Sequence, residues 1–297
     1  MAEALSYCAA EVRRADYDRF LTVLFAPAEA RERLFALYAF NHEIAKVRET
    51  VSEPMLGQIR LQWWREAIGR LYGPAIHDGA PHAHAVVDAL RAAVGAARPE
   101  CADFEALLDS REFDLAGRAP ETLAALESYG EGSSSRLMYL AAAMLGARGA
   151  STRAALRPLG VAWAITGLVR AIPFHARARR QYIPADIAAT AGLTEAALFS
   201  LTPCEPLRRA AAALAAAAER HLAAAKAETP ERAARPLLLF ATLTRAYLRK
   251  LKRRGYEVMD RPVEISPALK IARLWWAART YSRSGSGFGS WPGLPFL

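Results

Sequence analysis

From Arg208 to Glu228 the chain reads RRAAAALAAAAERHLAAAKAE. Alanine loses no side-chain entropy in a helix, so a run like this leaves the chain one economical form, the α-helix. The rest of the sequence agrees. There is no long period-two alternation and no Asn-Gly or Asp-Gly hairpin between β-branched runs. The fold class expected is all-α. With 297 residues, 53% of them hydrophobic, the chain can bury one large core. No internal repeat or linker composition divides it, so a single domain over residues 1–281 is expected. The tail from 282 to 297, SRSGSGFGSWPGLPFL, is expected to be disordered.

Apolar spacing predicts about ten or eleven helices. One begins after Pro27, with Glu29 and Glu32 in its first turn and an apolar face of Leu34, Leu37, Tyr38, Asn41 or Ile44, and Val47. Another covers PMLGQIRLQWWREAIGRLYG and closes at Gly73, before the loop GPAIHDGAPHAH. Further helices are expected over Ala83–Ala96, Ala102–Ala116, Pro120–Leu145 (with a polar interruption, GEGSSSR) and Thr152–Ala171, which Pro173 should kink or end. The last three are Pro206–Ala227, Arg232–Arg254 before Gly255, and Pro267–Tyr281.

The net charge of +9 suits anionic partners such as a membrane surface or a phosphorylated small molecule. Arginine and alanine excess from base composition produces the same number. Nucleic acid is not expected: no helix-turn-helix, zinc-finger or RNA-module pattern accompanies the charge. Cys8, Cys101 and Cys204 are far apart and odd in number, against a disulfide framework and in keeping with a reducing compartment. The N-terminus lacks a signal-peptide core, and no run of about eighteen apolar residues marks a membrane span. A cytoplasmic protein, at most peripheral at the inner face of the membrane, is expected.

Several clusters carry two readings. His77, His82 and His84 are close in sequence but lie in a Gly/Pro loop without cysteines or a carboxylate pattern, so exposed loop histidines are expected rather than a metal site. RAYLRKLKRRGYEV places Arg245, Arg249, Lys250, Lys252, Arg253 and Arg254 at one helix end. That suits the helix macrodipole and equally an anionic membrane surface. In LLDSREFDLAGRAP, Asp109 and Asp114 are either a solvated face or a pair with one member turned to a cavity. VRAIPFHARARRQYIP crowds Arg170, Arg177, Arg179 and Arg180 around His175 and Tyr182. Guanidinium groups bind phosphate oxygens two at a time, so these cations form an anion site if they face inward and a solvated helix end if they do not.

Four of these segments together resemble the squalene/phytoene synthase family, over most of residues 5–280. RERLFALYAFNHEIAKVRE resembles its first acidic motif helix, and LLDSREFDL its Asp-Gly-Met-x-x-Asp-Leu segment with Asp114 in place. ESYGEGSSSRLMYLAAAMLG resembles its Tyr…Ala-Gly…Gly helix, and ITGLVRAIPFHARARRQYIP its second acidic motif. The resemblance implies a single isoprenoid-synthase-type helical bundle around a central cavity. In the family, carboxylates on facing helices hold magnesium ions that bind prenyl diphosphates, and the metal stabilises the departing diphosphate.

This sequence departs from both motifs. The acidic positions of the first fall on Ala45, Lys46 and Glu49, and His42 stands for a phosphate-contacting arginine. Those of the second fall on Ala171, Phe174 and His175, with Gly167 in place of an asparagine. Arg170, Arg180, Tyr182, Pro184 and Asp114 remain. The resemblance thus implies no metal site, a cavity turned neutral or basic, and ligand-binding candidates His42, Glu49, Asp114, Arg170, His175, Arg180 and Tyr182.

RAIPFH, NHEIAKV and VSEPMLGQIRLQWW are closer to one divergent branch of the family, which includes the assembly factor 6 of mitochondrial NADH dehydrogenase (complex I) and its bacterial relatives. This implies a pseudoenzyme supporting biogenesis of a membrane respiratory complex, with that complex's subunits as partners and a prenyl or lipid ligand in the cavity. The alternative is an active, magnesium-dependent prenyl diphosphate transferase with a rearranged site of Glu49, Asp109, Asp114 and His175.

Overall fold

The computed structural model describes residues 5–51, 53–73 and 84–283, with side chains up to residue 280. His77, His82 and the tail from 284 lie outside the described residues. Among the described residues fifteen α-helices follow one another: α1 Tyr7–Ala15, α2 Tyr17–Val23, α3 Ala28–Ala45, α4 Val47–Thr50, α5 Pro54–Tyr72, α6 Ala85–Ala97, α7 Cys101–Ala116, α8 Leu123–Gly130, α9 Arg136–Met144, α10 Ala150–Arg177, α11 Ala185–Ala191, α12 Glu195–Phe199, α13 Glu205–Ala224, α14 Arg235–Arg253 and α15 Pro267–Arg283. Among the described residues there is no strand.

The alanine-rich run folds as α13 and lies along α10, the spine of the bundle. At 28 residues α10 spans roughly 42 Å at 1.5 Å per residue. By length and composition alone it is, among the described residues, the one helix that could cross a membrane. Instead Leu156, Leu159, Ile165 and Val169 bury its faces against the core, which makes it a core helix. α3 packs against α1, α6 and α9, and its Phe40 meets Trp64 of α5 and Phe104 of α7 edge-on at 5.2 and 5.4 Å. The expected apolar face of α3 is buried, Asn41 included.

Two short helices at the N-terminus went unpredicted, although their caps are written in the sequence. Ser6 Oγ accepts from Ala9 N–H at 3.2 Å, and Asp16 Oδ1 from Arg19 N–H at 2.9 Å. The helix expected from Pro120 starts at Leu123, where Thr122 caps it. Its polar interruption does not break it. Glu131–Ser135 forms a π-helical turn joining α8 to α9, with Ser133, Ser134 and Ser135 buried. Here α10 comes so close that a Cβ at Gly160 would overlap the Ser135 backbone, and one at Gly130 would stand 3.3 Å from Ala164 Cβ.

The expected stop at Pro173 does not occur. Proline inside a helix removes a backbone hydrogen bond and crowds the preceding turn, at a cost of about 3 kcal/mol, which the burial of Ile172 and Ala176 on either side of it offsets. The helix ends instead at Arg177, capped by Ala178. Arg179 turns left-handed (φ 51°), Arg179 N–H donates to Ala176 O, and Arg180 N–H reaches back to His175 O at 2.8 Å. This cap folds Arg180 and Tyr182 back beside His175.

Candidate functional site

A cavity of about 390 Å³ opens between α3, α7, the π turn and α10. On α3, Tyr38, Asn41, His42 and Ala45 line it, a three-four spacing that puts all four on one helical face. Across from them, Gly167, Ala171 and His175 recur every four residues on α10 and line the opposite wall. Both motif faces therefore address one space, and at its centre they carry alanine and glycine. Glu49 borders the mouth and is exposed.

One side of the cavity is closed by a polar cage around Asp114. Its Oδ1 accepts from Tyr182 Oη at 2.7 Å and from Tyr129 Oη at 2.9 Å. Arg111 stands 3.4 Å from Oδ2, donates to Tyr129 Oη, and donates to Asn41 Oδ1 on α3 at 3.2 Å. Burial, and then the Asp114 charge, push both phenols well above their usual range, so they act as donors and not as bases. His175 packs on Tyr182 with ring centroids 4.7 Å apart. Burial and then Arg180 lower its pKa to about 4, so the imidazole is neutral at pH 7. Its Nδ1 and Ser134 Oγ are buried without a hydrogen-bond partner, leaving polar valence for a ligand. Burial and Lys46 lower His42 as well.

Three carboxylates, Asp16, Glu49 and Asp114, and three arginines, Arg19, Arg111 and Arg180, line the cavity. Arg19 is ion-paired with Asp16, and Arg111 is held on Asp114. Among the described residues Arg180 has no carboxylate within ion-pair distance, so it is the cation left to meet an anion.

Magnesium, which the family's intact motifs hold, takes oxygen ligands in octahedral array. The residues present do not fit it: Asp16 is engaged by Arg19, Asp114 by two phenols and a guanidinium, and Ala45 and Ala171 bring no oxygen. Among the described residues no group of three or more His, Cys, Asp and Glu is placed to hold a metal ion. His84 packs against Trp64 at 5.1 Å.

The structure brings His42, Ala45, Glu49, Asp114, Ala171, His175, Arg180 and Tyr182 to the cavity and leaves the others out. Arg170 is turned away. Its Nη2 pairs with Glu264 at 2.8 Å, its Nη1 stands 3.6 Å from Asp18, and its guanidinium lies 3.6 Å over the Tyr247 ring. It joins α10 to α2, α14 and the segment before α15, and so is a structural cation. Lys46 pairs with Glu43, Phe174 is exposed on the outside, and Asp109 pairs with Arg65 at 2.5 Å on the outer face of α7. The rearranged site that needed Asp109 is not assembled. Sequence reasoning missed Tyr129, Arg111, Asn41 and the π-turn serines. Two had a signal: Arg111 precedes Asp114 by three residues, one helical step, and Tyr129 opens the quoted Tyr…Gly segment.

The squalene/phytoene synthase family model matches residues 12–268. The chain belongs to the squalene/phytoene synthase family. Human "NADH dehydrogenase (ubiquinone) complex I, assembly factor 6" is 30% identical over 254 residues, 85% of this chain and 75% of that protein. "Presqualene diphosphate synthase" of Rhodopseudomonas palustris is 28% identical, over 84% of this chain and 88% of its own. In fold, a ligand-bound dehydrosqualene synthase superposes with a TM-score of 0.79 at 17% identity, over 94% of this chain and 96% of the other. Squalene/phytoene synthase relatives thus share the all-α bundle in which this cavity lies.

Proposed function

We propose that this protein is a non-catalytic squalene/phytoene synthase relative that supports assembly of respiratory complex I, its cavity kept as a binding site for a prenyl or other lipid chain. The observation that carries the reading is the pair of cavity walls on α3 and α10, where Ala45, Gly167 and Ala171 stand at the motif positions and bring no carboxylate. Diphosphate departure without a Lewis acid forgoes several kcal/mol of charge stabilisation, and neither Tyr129, Tyr182 nor neutral His175 replaces it. What the walls still offer is an apolar stretch past Trp163, Ala164 and Leu168, with Arg180 and His175 at one end for a polar head. Similarity to complex I assembly factor 6 supports the role in assembly.

Two measurements test it together. Purified protein with farnesyl or geranylgeranyl diphosphate, with and without magnesium, should release no diphosphate. Deletion of the gene in its native organism should lower assembled complex I on native gels, and a copy carrying Glu49→Ala should restore it. Magnesium-dependent release, abolished by Glu49→Ala, would establish instead the transferase reading.

A further inference from the structure

Helix α15 turns two charged residues inward and a stripe of large apolar ones outward. Its charged residues Lys270 and Arg273 are buried, 5% and 9% exposed, against the body of the protein. Its outer stripe is Ala268, Ile271, Ala272, Trp275 and Trp276, spaced three-one-three-one and all exposed. Ile271, Trp275 and Trp276 keep nearly half their surface open, at 46%, 49% and 47%. A single exposed apolar side chain needs no explanation, but three large ones within six residues of one helix do.

Beside this stripe, α14 and α15 enclose a groove of about 440 Å³. Lys250, Arg253, Arg254 and Arg273 line it, with Ile265 and Leu269, and no carboxylate does. The hydrogen bonds of two of these cations end on neutral acceptors. Lys250 Nζ donates to Glu264 O, and Arg254 donates to the carbonyls of Arg261 and Pro262 at 3.1 Å. The nearby acids are engaged elsewhere: Glu264 with Arg170, Glu257 with Arg208, and Asp260 with Arg261. Arg273 feels burial first and then the charges of Arg249 and Arg253, which all disfavour its charged form. Four cations around one groove repel one another and attract an anion.

From this juxtaposition we propose that α14 and α15 form the face on which the protein lies against an anionic bilayer. Lipid phosphates enter the basic groove, while Trp275, Trp276 and Ile271 enter the headgroup boundary. Tryptophan suits that boundary because its ring is apolar and its N–H wants water, and Arg279, stacked 4.0 Å over Trp275, stays at headgroup level. A plane of phosphates complements a groove with no acid in it better than a protein surface of mixed charge would.

The test is sedimentation of the full chain with vesicles of phosphatidylcholine alone and of phosphatidylcholine with phosphatidylglycerol. Binding is expected on the anionic vesicles only, and should fall with added salt. Trp275→Ser with Trp276→Ser should weaken it about tenfold or more, and Arg249→Glu with Arg253→Glu should abolish it. All four side chains are exposed, so each variant should still fold and unfold cooperatively, which serves as the control. The proposal is overturned if the wild type ignores anionic vesicles, binds uncharged ones equally, or binds undiminished after both double substitutions. Loss of binding only when residues 284–297 are removed would also overturn it. So would a Trp275/Trp276 variant that changes self-association and leaves vesicle binding intact, because the face would then belong to a protein contact.

Discussion

Tyr182 donates its hydroxyl to Asp114 across 68 residues of chain, at 2.7 Å. The contact closes the polar cage and fixes the segment after α10 to α7. Phenylalanine at 182 would keep the ring on His175 but leave the buried carboxylate one donor short. The cost expected is about 1–2 kcal/mol, seen as a lower urea midpoint at unchanged slope. Asp114→Ala should cost more, about 3–5 kcal/mol, because Arg111 would be left buried without its carboxylate. Equal losses for the two variants would show that the cage does not act through Asp114.

Arg170 and Arg180 sit ten residues apart and do different work. Arg170→Met should destabilise, since it removes a partner of Asp18 and of Glu264 and the cation over Tyr247. Arg180→Met should leave the thermal midpoint nearly unchanged and weaken binding of an anionic prenyl ligand measured by calorimetry. The reverse pattern would assign Arg170 to the ligand.

Gly160 and Gly167 make a matched pair on α10. Alanine at 160 has to displace the Ser135 backbone, with an expected loss of about 1–3 kcal/mol. Around a Cβ at 167 there is nothing within 4 Å, and alanine there should gain about 0.5–1 kcal/mol from helix propensity. Chemical denaturation of the two variants gives opposite signs if the close approach at the π turn is as described.

Acid stability depends on His175. Its pKa falls from the usual histidine value of about 6.5 to about 4 on folding. Between those values the unfolded chain binds the proton and the folded one does not, so stability is full above about pH 6.5 and declines as pH falls toward 4. His42 is shifted in the same direction and adds to the slope. Thermal midpoints measured from pH 7 to pH 4 should fall less steeply for His175→Gln than for the wild type. Parallel curves would mean that the imidazole titrates as it does in water.

Carboxylates returned to the walls should bring back metal binding. Ala45→Asp with Ala171→Asp faces two acids into the cavity from opposite helices. Magnesium should then raise the thermal midpoint of the variant, by the linkage of binding to folding, and leave that of the wild type unmoved. A magnesium-dependent rise in the wild type would show that Glu49 and its neighbours already suffice.

The sequence by itself determined the helical class, because alanine-rich runs and three-four apolar spacing admit no other regular structure, and the two degraded motifs, because identity at Ala45 and Ala171 needs no coordinates. It also placed most helices, whose ends at Pro27, Gly73 and Gly117 rest on local chemistry. Tertiary structure decided what local chemistry could not. Pro173 stays helical because Ile172 and Ala176 are buried on both sides of it. The π turn at Glu131–Ser135 lies where Gly160 lets α10 press against α9's approach. Of two arginines in one motif, the left-handed turn at Arg179 carries Arg180 to the cavity, while Arg170, on the flank of the helix, is claimed by Asp18 and Glu264. Which way a cation points depends on partners distant in the chain, and a sequence read in windows does not contain them.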